Sequence, residues 1–265
     1  MKILLHVFVR AYEYAVFYLG LFLIGALCLL WSLLALALYP LLPKAFGRAL
    51  GRMAIMLIFR TFLTILVISG RFRFDLAELD AIKDEKSLII APNHPSLWDV
   101  VLIVSRLPDV ACIMKAEIIG NLFLGGGARM AGYIRNESLR RMIMLAVEDL
   151  QRGGRLLLFP EGTRTVRHPI GPLKGSIGAI ARLARVPVQT VLIETDSPFL
   201  TKGWPVYKMP RLPLTYRVRL GRRFAAPENS ALFMAELEQY FASELATPAA
   251  ATTDAVAAAK TMAVN

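Results

Sequence analysis

The chain has 265 residues, a formal net charge of +11 and a pI near 9.9. A basic surface attracts any polyanion, so charge alone would admit nucleic acid as a partner. The positions of the cations argue against it: they flank an apolar run near the N-terminus, crowd residues 135–185, and recur from Lys202 to Arg223 with no acid between.

From Tyr14 to Leu42 no residue is charged. That run exceeds the roughly 20 residues that cross a bilayer as a helix and is too long for a signal-peptide core. Tyr12, Tyr14 and Tyr18 at one end and Tyr39 at the other suit the two membrane interfaces, and Pro40 and Pro43 close the run. A single tilted spanning helix is the preferred reading, although Gly20, Gly25 and Ser32 also tolerate a helical hairpin dipping into one leaflet. Lys44, Arg48, Arg52, Arg60, Arg71 and Arg73 follow with no acid before Asp75. This bias places the downstream side in the cytoplasm, at the inner membrane. Met53 to Ser69 is apolar but carries Arg60, and a charge at a helix centre costs about 2.5–3.5 kcal/mol on insertion scales. It reads as an interfacial helix on anionic lipid, with a second membrane segment as the alternative.

Residues 71–245 suffice for one catalytic domain, after an anchoring region at 1–70 and before an Ala- and Thr-rich tail at 246–265 expected to be disordered. Strand-like runs near Leu88, Ala111, Leu156, Val188 and Arg217 alternate with helical stretches near Val100, Ser138 to Arg152 and Gly175 to Arg185. The alternation predicts an α/β fold with a mixed, mostly parallel sheet and flanking helices. Ligands of such folds collect in a crevice at one sheet edge.

The most informative segment is Asn93-His94-Pro95-Ser96-Leu97-Trp98-Asp99. Ser87 to Ala91 reads as a buried strand ended by Pro92, and Pro95 suits the first position of a helix continuing through Val100 to Val104. His94 then stands in the loop before the helix, where Asp99 in the first turns can reach one imidazole nitrogen. The other nitrogen is left to take a proton from an alcohol. The plain alternative makes Ser96 and Asp99 a capping pair and His94 an ordinary turn residue. Downstream, Arg155 to Phe159 is strand-like and runs into Pro160-Glu161-Gly162-Thr163-Arg164, a compact turn whose arginine, hydroxyl and free N–H groups suit a phosphate. Cys28 and Cys112 lie in apolar runs far from both segments and read as core or lipid-facing residues. His168 reads as a loop residue and His6 as interfacial.

Together the two segments resemble the glycerolipid acyltransferase family, marked by an N-H-x-x-x-x-D block, here Asn93 to Asp99, and an F-P-E-G-T-R block, here Phe159 to Arg164. The resemblance runs from about Ser87 to Val191. It implies a glycerol-phosphate acyltransferase-like fold in which His94 is the general base and Asp99 orients it. Glu161, Gly162, Thr163 and Arg164 would hold the acceptor head, with Asn93, Ser96, Lys115 and Arg135 as further substrate-binding candidates. The donor would be a thioester, acyl-CoA or acyl carrier protein, attacked directly with no covalent acyl-enzyme, no metal and no bound cofactor. The expected partners are a lysophospholipid acceptor, that donor and membrane lipid, and the expected product is phosphatidic acid from lysophosphatidic acid. Relatives usually carry an aspartate-arginine pair after the middle glycine, where this chain has Arg135-Asn136. That shift favours a different lyso-lipid, such as one bearing an amino acid, a polyene or a glycolipid. A non-catalytic, membrane-anchored lipid-binding protein is the third reading; the intact His94, Asp99, Glu161 and Arg164 count against it.

Overall fold

The computed structural model describes residues 2–167 and 169–246. His168 and residues 247–265 lie outside them; Ala246, the first residue of the expected tail, ends the last helix. Two long helices come first, α1 (Lys2–Leu38) and α2 (Lys44–Ile68). They are followed by β1 (Phe72–Asp75), a 3-10 helix (Ala77–Ile82), β2 (Leu88–Pro92), α3 (Asp99–Val104), β3 (Val110–Met114), α4 (Ala116–Ile119), α5 (Gly125–Met130) and β4 (Ile134–Arg135). The chain continues through α6 (Leu139–Gln151), β5 (Arg155–Leu157), α7 (Ser176–Ala184), β6 (Val188–Thr195), β7 (Leu214–Phe224) and α8 (Ser230–Ala246).

The strands form one seven-stranded sheet in the order β1-β7-β6-β2-β5-β3-β4. From β6 to β4 every pairing is parallel, β7 runs antiparallel to β6, and β1 is parallel to β7. The mixed, mostly parallel sheet is the one that the alternation of elements indicates. A parallel strand covered on both faces needs apolar side chains at every position. β2 meets that demand: Leu88 and Ile90 point into the core shared with α2 and α3, Ile89 and Ala91 into the core shared with α6, α7 and α8. Each of the leucine and isoleucine side chains contributes about 1.5–3 kcal/mol on full burial. The short strands β1 and β4, the 3-10 helix, α4, α5 and the C-terminal α8 go beyond the elements read from sequence.

α3 starts later than Pro95 suggests. Residues 95–98 form a bend and turn, and the helix opens at Asp99. α2 in turn starts at Lys44 rather than Met53, because Pro43 is an adequate first-turn boundary and the stripe Gly47, Gly51, Ile55, Met56, Phe62, Leu63 and Leu66 keeps helical spacing throughout. That stripe packs on α3, α5 and β1. At its centre Arg52 is buried, donating to the carboxylates of Asp109 and Asp149 at 2.7 Å each and to the Ala131 carbonyl at 3.0 Å. Gly51 permits this approach, since a Cβ there would lie 2.6 Å from the Ala131 nitrogen. α1 extends N-terminally past Tyr14 and carries Arg10 and Glu13 within it, paired with each other at 3.3 Å. It is closely packed on α5, where the Gly126 N–H donates to the Ser32 hydroxyl at 2.8 Å. Both α1 and α2 are long and apolar enough to cross a membrane, and α1 leaves most of its surface uncovered.

Candidate active site

The carboxyl-terminal ends of β2, β5, β3, β4 and β6 share one edge of the sheet, and the two sequence blocks leave the sheet there. Asn93 prolongs the β2–β6 pairing with its side chain: its amide donates to the Ile193 carbonyl at 3.0 Å and accepts from the Ile193 N–H at 2.7 Å. His94 comes next and is freed from the sheet. Its Nδ1 stands 2.8 Å from Asp99 Oδ2, and its ring stacks on Phe159 with centroids 3.8 Å apart. The same Asp99 oxygen accepts the Ser96 N–H at 2.8 Å. One carboxylate oxygen therefore makes both the cap-like contact and the histidine contact that the sequence offered as alternatives.

Asp99 is fully buried, and among the described residues its other oxygen, Oδ1, has no hydrogen-bond partner. Burial pushes the carboxyl up to about 6, opposed by the His94 hydrogen bond, the Ser96 N–H and the charge of Arg164. An ionised carboxylate only accepts, so with Asp99 ionised Nδ1 carries the hydrogen, and in the neutral imidazole Nε2 then presents its lone pair.

The turn 160–164 is tied to the first block by the backbone. The Thr165 N–H donates to the His94 carbonyl at 2.7 Å. Gly162 has φ of +67°, the left-handed region that favours glycine, and it and Thr163 are exposed. Arg164 Nη1 donates to the carbonyls of Leu200 and Thr201 at 2.9 and 3.0 Å. Among the described residues Nε and Nη2 have no hydrogen-bond partner, so the planar fork keeps donors for an anion. Glu161 is different: its two oxygens accept from Thr165 Oγ1 at 2.6 Å and from the Gly171 N–H at 2.8 Å, and only 4% of the residue is exposed. Its carboxylate closes the loop 161–171 on itself. Ser96 is likewise engaged, donating to the Phe199 carbonyl at 3.1 Å and accepting from the Tyr216 hydroxyl at 2.9 Å.

The fold thus gathers Asn93, His94, Ser96, Asp99, Glu161, Gly162, Thr163 and Arg164 at one place. The polar atoms of Asn93, Ser96 and Glu161 face other parts of the chain. Lys115 follows β3 and Arg135 ends β4, which puts both on the same sheet edge, two and three strands from β2. At the usual inter-strand spacing they stand about 10 and 14 Å from the end of β2. Both are exposed, and Arg135 is ion-paired with Glu137 at 3.0 Å. Sequence reasoning missed Tyr216 and the Leu200 and Thr201 carbonyls. Tyr216 sits on an alternating strand as an apparent core aromatic, and nothing local ties it to a serine 120 residues earlier.

The chain is similar to known acyltransferases. A family model described as Acyltransferase matches residues 73–194. The chain is 25% identical over 237 residues to the 1-acyl-sn-glycerol-3-phosphate acyltransferase of Pseudomonas aeruginosa, covering 87% of this chain and 88% of that protein. It is 35% identical over 115 residues to the lyso-ornithine lipid O-acyltransferase of the same organism, covering 39% of this chain and 44% of that protein. The crystal structure of the 1-acyl-sn-glycerophosphate acyltransferase PlsC from Thermotoga maritima shares the fold, with a TM-score of 0.55 and 19% identity over 83% of this chain and 94% of that one. Residues 73–194 thus match the Acyltransferase model, the similar proteins acylate glycerolipids and lyso-lipids, and the chain is an acyltransferase.

Proposed function

We propose that this acyltransferase works at a membrane and transfers a fatty acyl group from a thioester, acyl-CoA or acyl carrier protein, to the free hydroxyl of lysophosphatidic acid, giving phosphatidic acid. The observation that carries the reading is the 2.8 Å contact of His94 Nδ1 with buried Asp99, beside an arginine with free donors. His94 Nε2 takes the proton of the acceptor hydroxyl as its oxygen attacks the thioester carbonyl carbon. The resulting tetrahedral oxyanion collapses with cleavage of the C–S bond, and Nε2 returns the proton to the departing thiolate. Asp99 holds the tautomer and stabilises the imidazolium. Arg164 binds the acceptor phosphate through Nε and Nη2. Gly162 and Thr163 shape the turn, whereas Asn93, Ser96 and Glu161 serve by fixing the backbone around it. Lys115 and Arg135 reach the outer part of the acceptor or the phosphates of the donor. α1 holds the enzyme in the bilayer of the cytoplasmic membrane, with the domain on the cytoplasmic side where acyl thioesters occur.

A second acceptor class has its own support. The arginine displaced to Arg135, occupied by Glu137, weakens one phosphate contact, and the similarity to a lyso-ornithine lipid O-acyltransferase favours an amino-acid-containing lyso-lipid. Purified full-length protein given labelled acyl-CoA or acyl carrier protein with both acceptors, products read by mass spectrometry, separates the two. His94→Ala is the control and should lower turnover by about 10²–10⁴-fold. Near-normal turnover in that variant would remove His94 from the mechanism.

A further inference from the structure

An open cleft of about 740 Å³ lies between α1 and the connection from β6 to β7, apart from the residues assigned to the reaction. One wall is a single face of α1, Arg10, Tyr14 and Tyr18 at four-residue spacing, and the opposite wall carries Tyr207, Lys208 and Arg211. The lining holds three cations and no acid. Arg10 is partnered by Glu13 at 3.3 Å, and the Lys208 ammonium stands 4.8 Å from the Trp204 ring centre. Arg211 makes no ion pair among the described residues. The Tyr18 hydroxyl bridges the walls by donating to the Tyr207 carbonyl at 3.3 Å. Beyond the cleft α1 presents exposed Leu19 and Phe22.

Cations and phenols next to an uncovered apolar helix face match an amphiphile with an anionic head. We propose that this cleft holds the phosphate headgroup of an anionic membrane phospholipid, its acyl chains lying along the exposed face of α1; this rests on the membrane reading above. Lys208 and Arg211 supply the charge, since Arg10 already has a carboxylate partner. Tyr14 and Tyr207 supply hydroxyls at headgroup depth, where aromatic side chains with a polar tip are favoured, while Tyr18 ties the two walls together. The cleft is large enough for a phosphoglycerol head, since small-molecule sites span roughly 300–1,000 Å³.

The test uses the full chain in neutral detergent, titrated with phosphatidylglycerol or zwitterionic phosphatidylcholine, with retained lipid counted by native mass spectrometry. The protein should retain phosphatidylglycerol in preference. Each cation near an anionic headgroup is worth about fivefold in affinity, so Lys208→Gln/Arg211→Gln should weaken retention by on the order of tenfold or more. Arg140→Gln/Arg141→Gln, an equal loss of exposed charge on α6, should leave it unchanged. Equal loss in both double variants, or none in the first, would overturn the site while leaving membrane association intact. Full displacement by soluble glycerol 3-phosphate would mean that the cleft binds free phosphate rather than lipid. Retention of neither phospholipid would overturn the membrane reading and the site together.

Discussion

Replacing Asp99 by Asn separates what this carboxylate does for catalysis from what it does to stability. Burial lifts its pKa from 3.8 to about 6, so the folded protein holds this proton more tightly than the unfolded chain. The contribution of the group to stability is therefore complete below about pH 4 and lost as pH rises through about 6, a swing of about 3 kcal/mol. On the proposed mechanism catalysis runs the other way, because only the ionised form fixes Nδ1–H and supports the imidazolium. Wild-type kcat/KM should thus fall as pH drops through about 6, with the apparent value belonging to the His94–Asp99 pair. In Asp99→Asn the carboxamide oxygen can take the place of Oδ2, accepting from Ser96 and His94, while its NH2 falls where Oδ1 has no partner. Relief of the buried charge, about 3 kcal/mol, then roughly offsets an orphaned donor costing about 1–3 kcal/mol. Stability at pH 7.5 should stay near wild type and lose its dependence between pH 4 and 6, while kcat falls by orders of magnitude. Thermal denaturation in detergent across pH, with steady-state assays alongside, measures both. A large loss of stability at neutral pH, or an acid limb that persists in the variant, would refute the reasoning.

Arg164→Ala should raise the acceptor KM strongly, and Arg164→Lys should rescue it in part because the planar fork is lost; an equal effect with acceptors lacking phosphate would make the arginine structural. Tyr216→Phe removes the 2.9 Å bond to the Ser96 hydroxyl and should cost about 1–3 kcal/mol of stability, with a kcat loss smaller than that of His94→Ala because the Ser96 N–H on Asp99 is backbone. Arg52→Met leaves Asp149 with only the 3.5 Å contact of Arg48 and should destabilise by about 3–5 kcal/mol, recovered in large part by Arg52→Met/Asp149→Leu in denaturation assays.

Strands of a parallel sheet announce themselves as short apolar runs, which is why β2, β3, β5, β6 and β7 were legible and why the blocks after β2 and β5 could be assigned to one edge. β4 has only two residues, and β1 reads Phe-Arg-Phe-Asp, with a charge at every second position and so no apolar run. Arg52 illustrates a different limit. In sequence it is one of several cations after an apolar run, and its burial depends on Asp109 and Asp149, which lie 57 and 97 residues away. Charge counting treats it as a headgroup contact, while the fold uses it as an internal tether.

The same limit shapes the reading of the two blocks. A polar side chain that recurs beside a catalytic histidine invites assignment to the substrate, yet a buried polar atom without a partner costs about 1–3 kcal/mol, so a loop carrying reactive groups needs internal partners first. Asn93 fastens the chain as it leaves β2, Ser96 joins Tyr216 and the Phe199 carbonyl, and Glu161 closes its own loop. Among the described residues His94 Nε2 and two donors of Arg164 keep free capacity, as does the buried Asp99 Oδ1. Arg164 in turn is aimed by Leu200 and Thr201, on the connection that packs Phe199 against Phe17 and offers the Tyr207 carbonyl to Tyr18 of α1. The helix that would meet the bilayer and the arginine that would meet the acceptor are thus held by one stretch of chain.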